Sequence, residues 1–208
     1  MNPMQTQANA PRKKTSHHRW LVLLICLLSF GLSQQRLKAQ DTWLMVLDMQ
    51  DFQLKDQSLN ASIDSIIPHI NRLIAAFGAE RVIYVRATGK SLNISLKGIR
   101  TDTLPAKPFY SRLEVVNNNC FNKVEGDAFT VCELRQFLEN RQVTDIVLVG
   151  ILADKCIYHT ALGGSSRGYR LTLVPEATVG STTRKQAKAF EAMKAKGLMF
   201  KPLHEIIH

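Results

Sequence analysis

Short apolar runs alternate with amphipathic stretches along most of this chain, which restricts the folds it can adopt. The run at 145–151 (DIVLVGI) is apolar almost throughout, as is typical of a strand buried on both faces. At 63–77, apolar residues recur at helical spacing, with Ser62 and Asp64 as suitable start residues and Gly78 as a suitable stop. We predict strands at 42–49, 81–86, 113–116, 145–151 and 170–174, and helices at 63–77, 131–138, 155–165 and 181–196.

Repeated strand–helix units predict the α/β class, as a three-layer, doubly wound sandwich. Its sheet is expected to be mostly parallel, with helices on both faces. Residues 88–112 show no clear periodicity and include Pro105 and Pro108. We therefore predict a long irregular excursion there, of the length usually reserved for function.

The first forty residues differ from the rest of the chain. Residues 1–19 carry four basic side chains and no acid, and Trp20 to Leu32 is free of charge. This pattern favours a secretory signal with cleavage after Ala39, leaving a domain at 40–208. An uncleaved anchor and a buried N-terminal helix are the alternatives, although 13 residues reach only about 20 Å of the roughly 30 Å hydrocarbon core. The sequence thus predicts an exported protein, periplasmic or secreted, that contacts membrane only if this segment is retained.

The net charge of +10 is concentrated at the N-terminus. Six of the 27 lysines and arginines lie in residues 1–40, so the remainder holds 21 against 17 acidic residues, a net charge of +4. No basic stripe with interleaved aromatic residues occurs in that remainder. A nucleic-acid partner is therefore not expected.

In an open parallel sheet the functional site lies beyond the carboxyl ends of the strands. Cys156 follows the predicted strand 145–151 and opens a predicted helix, where unpaired N–H groups favour a thiolate and can receive an oxyanion. Asp48 ends the first predicted strand. A carboxylate and a thiol from adjacent strand ends can work as proton carrier and nucleophile. The alternatives are a buried packing cysteine and a loop-capping carboxylate.

At these residues the chain resembles the isochorismatase-like cysteine hydrolases, which include nicotinamidases, carbamoylsarcosine-type amidases and isochorismatase. Four segments carry the resemblance. The first contains the family's catalytic aspartate, the second its lysine followed six residues later by phenylalanine, the third its Cys-Val-x-x-Thr-Ala motif, and the fourth the next strand. They are 46–52 (VLDMQDF), 123–129 (KVEGDAF), 150–161 (GILADKCIYHTA) and 168–177 (GYRLTLVPEA). The resemblance extends over about residues 42–200.

The resemblance implies a catalytic triad of Asp48, Lys123 and Cys156. In that triad the lysine favours the thiolate by its charge, and the aspartate carries the thiol proton to the leaving group. It also implies a cis peptide between Ile151 and Leu152, with the N–H groups of Leu152 and Cys156 forming an oxyanion hole. The implied reaction is hydrolysis of a small amide or related C–N bond through an acyl-enzyme. Without the resemblance, Lys123 would be interpreted as a solvated surface lysine.

The sequence departs from the family in its metal site. Nicotinamidases bind a metal through one Asp and two His soon after the first strand, whereas between Gln50 and Tyr158 this chain has only His69, inside a predicted helix. No metal site and no cofactor are therefore expected, and nicotinamidase activity is not favoured. Ala153 replaces a Thr or Ser of many members. The resemblance leaves the substrate open, and it allows a homo-oligomer.

Two classes of function follow from these observations. The favoured one is an exported cysteine hydrolase acting on a small molecule. The alternative is a binding or scaffolding protein that keeps the fold without the chemistry. Removal of the leader would leave Cys120, Cys132 and Cys156, which allows one free thiol and an optional Cys120–Cys132 disulfide.

Overall fold

Strands and helices alternate in the computed structural model, which describes residues 42–52, 56–95 and 98–207, with the backbone alone for 91–95 and 98–100. The strands are β1 Thr42–Leu47, β2 Val82–Ala87, β3 Lys90–Ser95, β4 Gly98–Thr103, β5 Cys120–Lys123, β6 Asp145–Ile151, β7 Arg170–Val179 and β8 Met199–Phe200. The α-helices are α1 Gln57–Phe77, α2 Cys132–Asn140, α3 Tyr158–Ser166, α4 Thr183–Ala195 and α5 Leu203–Ile206.

Six of these strands form one parallel sheet in the order β5-β2-β1-β6-β7-β8. The order reverses between β1 and β6, which pair in register from Thr42 opposite Asp145 to Leu47 opposite Gly150. The segments that follow β1 and β6 turn away from each other at this point. A crevice therefore opens between the carboxyl ends of the two strands. The α/β class with a parallel sheet is confirmed.

Helices cover both faces of the sheet because the central strands are apolar on both sides. On one face α1 buries a stripe of isoleucine and leucine, and α5 buries Leu203 beside it. On the other face α2, α3 and α4 bury Leu134, Leu138, Ala161 and Met193. The two cores share the same strands, so β1 and β6 are buried along nearly their whole length.

Strand β6 has the predicted bounds, but several other boundaries move. Helix α1 begins six residues earlier than its apolar stripe, because the Asp56 carboxylate accepts the N–H groups of Ser58 and Leu59 and caps the first turn. Strand β7 continues through Pro175 to Val179, with a register break opposite β6 between Leu148 and Gly150.

Two predictions for residues 88–116 are wrong. The region called irregular contains an antiparallel hairpin of β3 and β4, and no strand forms at 113–116. The strand that follows the excursion is β5, which pairs with β2 at the edge of the sheet. It is only four residues long, and its mixed polarity hides it from a periodicity argument.

The leader predicted at 1–39, with its apolar run at 20–32, lies outside the described residues. Among the residues that are described, no helix has the length and apolar character needed to cross a membrane. Cys120, Cys132 and Cys156 are all free thiols, so the optional Cys120–Cys132 disulfide is not formed.

Candidate active site

Asp48 follows β1 directly and is buried at the carboxyl edge of the sheet. Its side chain is 5% exposed, and its backbone lies in the left-handed region with φ of 56°. The backbone N–H donates to the Val85 carbonyl at 2.8 Å, which holds this residue against the end of β2. The carboxylate is thereby fixed in position at the crevice.

Lys123, the last residue of β5, brings the predicted triad together. Its side chain is 2% exposed, and its Nζ lies 2.9 Å from Asp48 Oδ2 and 3.2 Å from Cys156 Sγ. A third contact, 3.3 Å to the Glu125 carbonyl, completes the three donor positions of the ammonium. The lysine is therefore a buried bridge between the carboxylate and the thiol.

Cys156 lies in a tight turn, and the helix begins after it. Residues Ala153–Ile157 form a π-helical turn in which Lys155 departs from helical dihedrals, with φ of −136° and ψ of −105°. The prediction of a helix from residue 155 is therefore wrong at its start, since α3 begins at Tyr158. The peptide bond between Ile151 and Leu152 is cis.

Burial has the largest effect on the pKa values of Asp48 and Cys156. It raises the pKa of the Asp48 carboxyl, against the opposing effect of the Lys123 charge. Burial and the Asp48 charge together raise the pKa of the Cys156 thiol, again opposed by Lys123. The expectation of a lowered thiol pKa is therefore wrong for the resting site, because a helix end and one lysine do not offset desolvation beside a carboxylate.

The arrangement is suited to proton transfer inside the site. Asp48 Oδ2 holds Lys123, while the buried Oδ1 has no hydrogen-bond partner among the described residues. Transfer of the Cys156 proton to the carboxylate leaves the total charge of the three side chains unchanged. It also removes the negative charge that opposes the thiolate, while the Lys123 ammonium stays 3.2 Å from the sulfur.

The loop after Lys123 is hydrogen-bonded to the helix after Cys156. Thr160 Oγ1 accepts the Ala128 N–H at 3.0 Å and donates to the Gly126 carbonyl at 3.2 Å. Thr160 is fully buried, and a side chain at Gly163 would collide with Asp127. The family motif contains this threonine four residues after Cys156, but its residue type alone does not indicate that it joins the two segments.

Gln50 is a further site residue that the sequence reasoning did not assign. It is fully buried, and its Oε1 accepts the Ala87 N–H at 2.7 Å while Nε2 donates to the carbonyls of Ala87 and Lys107. The amide thus ties the end of β2 to the segment before Phe109. A polar residue two positions after Asp48 was the available signal.

A cavity of about 300 Å³ opens onto the thiol. Its walls are mostly apolar, and Asp48 and Cys156 are both among its lining residues. Lys155 and Ser181 are its other polar lining residues. The space suits a small molecule, with the reacting groups at one wall.

The described residues do not fit a nicotinamidase-type metal. Within that part of the chain, no three His, Cys, Asp or Glu side chains are grouped to hold a metal ion. His69 lies in α1, where its Nδ1 is 2.7 Å from the Glu176 carbonyl of β7.

Comparison with known families identifies the family and agrees with the fold. The family model described as Isochorismatase domain matches residues 42–202 of this chain. That range contains every described strand and every described α-helix except α5. No curated protein matches the sequence.

Three solved structures illustrate the shared fold. A cysteine hydrolase from Pseudomonas syringae pv. phaseolicola aligns with a TM-score of 0.66 at 17% identity, covering 81% of this chain and 91% of its own. A nicotinamidase pyrazinamidease from Acinetobacter baumanii aligns at 0.62 and 19%, covering 81% and 99%. An N-carbamoylsarcosine amidase from Thermoplasma acidophilum aligns at 0.61 and 17%, covering 78% and 96%.

Proposed function

Because the chain belongs to the isochorismatase domain family, a family of amidase-type hydrolases, we propose that it cleaves a C–N bond of a small amide by cysteine catalysis. Asp48, Lys123 and Cys156 are the proposed catalytic residues. The observation that carries this proposal is the single buried ammonium of Lys123, in contact with both the carboxylate and the thiol. Two structural relatives, a nicotinamidase and an N-carbamoylsarcosine amidase, support an amide substrate.

The first half-reaction forms a thioester. Asp48 takes the proton from Cys156 Sγ, and the thiolate attacks the carbonyl carbon of the amide. The N–H groups of Leu152 and Cys156 are proposed to receive the negative charge that develops on the carbonyl oxygen. The C–N bond then breaks, and the leaving nitrogen takes the proton that Asp48 holds.

The second half-reaction consumes one water. Asp48, again ionised, takes a proton from water as its oxygen attacks the thioester carbon. Collapse of the tetrahedral intermediate breaks the C–S bond, and the departing sulfur regains a proton from Asp48. The products are the acid and the amine or ammonia, and the three side chains return to their starting protonation states.

A screen of small amides for ammonia or amine release tests the proposal. We expect turnover by the wild-type protein, loss of it in Cys156→Ala, and retention of the fold in that variant. Cys132→Ala is the matched control, since Cys132 is an exposed thiol at the start of α2. Activity that survives Cys156→Ala would overturn the proposal.

Thiol labelling separates the hydrolase from a binding protein of the same fold. Rapid stoichiometric alkylation of Cys156 by iodoacetamide near neutral pH is expected of the hydrolase, because bound reagent is attacked with Asp48 taking the proton. Slow labelling, at the rate of an ordinary thiol, would favour the binding protein.

We propose that the protein is exported. The basic start, the apolar run at 20–32 and the small residue Ala39 support this. Cell fractionation and sequencing of the mature N-terminus test it. A mature chain starting at Gln40 is expected, whereas an intact leader in the cytoplasm would overturn it.

A further inference from the structure

A second cavity adjoins the one beside Cys156. Its volume is about 440 Å³, and Phe52 and Ala87 line both spaces. The other described residues that line it come from the segments after β2 and β4, and they are Thr88, Gly89, Leu104, Pro105 and Lys107. Its walls, like those of the first cavity, are mostly apolar. The first cavity therefore borders an apolar space that can hold a further part of a ligand.

Hydrogen bonds within the protein occupy polar groups of Thr88 and Gly89. The N–H and the hydroxyl of Thr88 both donate to the Lys123 carbonyl, at 2.7 and 3.1 Å. The Gly89 carbonyl accepts the Leu104 N–H at 2.8 Å. These bonds hold the wall of the second cavity to the strand that ends at the proposed catalytic lysine.

The buried Gln50 amide engages a further set of polar groups in this wall. It bonds the N–H and the carbonyl of Ala87 and the carbonyl of Lys107, at 2.7, 3.1 and 3.0 Å. Lys107 is the one charged residue among the described residues that line this cavity, and it is exposed. The bonded groups therefore stabilise the wall, and the surface left to a ligand is mainly apolar.

The side chain of Leu104 presents apolar surface at this cavity. It packs against another lining residue, because a Cβ built on Gly89 would lie 3.1 Å from Leu104 Cδ1. Leu104 is nevertheless 47% exposed. A hydrocarbon group that covered it would remove apolar surface from water on both partners, which is favourable.

From these observations we infer that the substrate carries a hydrocarbon chain on its scissile amide, and that this chain binds in the second cavity against Phe52 and Leu104. The inference rests on the proposed function and adds the class of substrate to it. The amide carbonyl lies at Cys156, and the chain extends past Phe52 and Ala87, where the two cavities adjoin. Each methylene buried in this way strengthens binding about threefold.

Two series of amides test the inference by turnover. Alkanamides from propanamide to octanamide carry the chain on the acyl side, and N-alkylacetamides of the same chain lengths carry it on the amine side. We expect kcat/KM to rise about threefold for each added methylene in one of the two series, which also identifies the side that carries the chain. Cys156-dependent hydrolysis with no rise in either series would overturn the inference and leave the hydrolase standing.

A pair of variants assigns the effect to the second cavity. In Leu104→Ser we expect the ratio of kcat/KM between the longest and the shortest amide to fall about tenfold, as for a loss of roughly 50 Å² of apolar contact. Val115→Ser is the matched control, because Val115 is 48% exposed and lines neither cavity. That variant should keep the wild-type ratio. A ratio that stays at the wild-type value in Leu104→Ser would contradict the assignment.

Alkylation of Cys156 tests the apolar site without turnover. The reagents are N-hexyliodoacetamide and iodoacetamide, and the exposed thiol of Cys132 in the same chain gives the reference ratio of rates. We expect the ratio of the hexyl reagent to the parent reagent to be about tenfold higher at Cys156 than at Cys132. Equal ratios at the two thiols would overturn the inference. A high ratio at Cys156 without hydrolysis of any amide would support the apolar site and overturn the amidase.

Discussion

At the scale of single residues, the site is organised around one buried positive charge. Asp48 and Cys156 both hold their protons more tightly than in water, because burial raises the pKa of each. The Lys123 ammonium, which contacts both groups, opposes both shifts. In the proposed mechanism, the nucleophile forms when the Cys156 proton moves to Asp48.

Replacing Lys123 with methionine should destabilise the protein and abolish turnover. The change leaves the Asp48 carboxylate buried without its counter-ion, which typically costs about 3–5 kcal/mol of unfolding free energy. Urea unfolding at pH 7 measures this loss. In the double variant Lys123→Met/Asp48→Asn the charge is gone, so most of the stability should return while turnover stays absent. A single variant as stable as the wild type would contradict the ion pair.

The activity should fall in acid because Asp48 must be ionised to accept the thiol proton. Burial raises its pKa above the ordinary value of 3.8, so protonation of Asp48 begins at a higher pH than for a free aspartate. We expect the acid limb of kcat/KM against pH to lie above pH 3.8. A limb at or below that value would show that Asp48 is not the group that controls it.

Individual residues also show how much of the site could be predicted from the sequence. Asp48 and Cys156 stand out because they follow buried strands, but Lys123 was assigned by family resemblance alone, as its short edge strand resembles a surface segment. The pKa of Cys156 was expected to move the other way, because burial beside a carboxylate is a property of the assembled site. Gln50 and Leu104 had no assigned role, since neither residue type indicates what its neighbours will be.

At the scale of elements, the central strands were predictable and the edges were not. Strand β6 is buried on both faces, so its apolar run marks both of its ends. Strand β5 is only partly buried. Both β5 and the β3–β4 hairpin form by pairing with strands that the local sequence does not reveal. The start of α1 was missed because the Asp56 cap lies seven residues, about two turns, before Ile63, where the apolar stripe begins.

Gly150 lets β6 approach β1 more closely than any side chain permits. A Cβ at this position would lie 2.1 Å from the Leu47 carbonyl oxygen, and φ is 117°. Gly150→Ala should cost on the order of 3 kcal/mol of unfolding free energy, from overpacking and backbone strain together. Because the residues that follow Leu47 and Gly150 build the site, turnover should fall as well.

Gly168 provides the matched control for this substitution. Its φ is 89°, but a Cβ there would have nothing within 4 Å. Gly168→Ala should therefore lower the free energy of unfolding only by the cost of backbone strain, about 1–2 kcal/mol, and leave turnover unchanged. If urea unfolding gave the same loss of unfolding free energy for both variants, the close contact of Gly150 with β1 would not contribute to stability.

At the scale of the whole molecule, the strand order accounts for the position of the site. Asp48 and Cys156 follow β1 and β6, the two strands between which the order reverses. Lys123 comes from β5, two strands from β1, and reaches Asp48 past the end of β2, where Ala87 is its partner in register. The topology thus brings the segments that contain Asp48, Lys123 and Cys156, which are distant in sequence, to one crevice.

The whole domain should lose stability in alkali. Burial raises the pKa of the thiols of Cys120 and Cys156, ordinarily 9.0, and of the hydroxyls of Tyr84, Tyr110 and Tyr169, ordinarily 10.0. As the pH rises through 9 and 10, the unfolded chain releases these protons before the folded one does. The folded state then binds more protons than the unfolded state, so the free energy of unfolding decreases with pH.

Urea unfolding at intervals from pH 8 to pH 11 checks this prediction, and Tyr84→Phe tests its origin. The Tyr84 hydroxyl donates to the Glu114 carbonyl and accepts the Val116 N–H, so the variant should lose about 1 kcal/mol at pH 8. Its further loss between pH 8 and pH 11 should be smaller than that of the wild type, because one titrating group has been removed. Stability that stays level or rises over this range in the wild type would contradict the linkage.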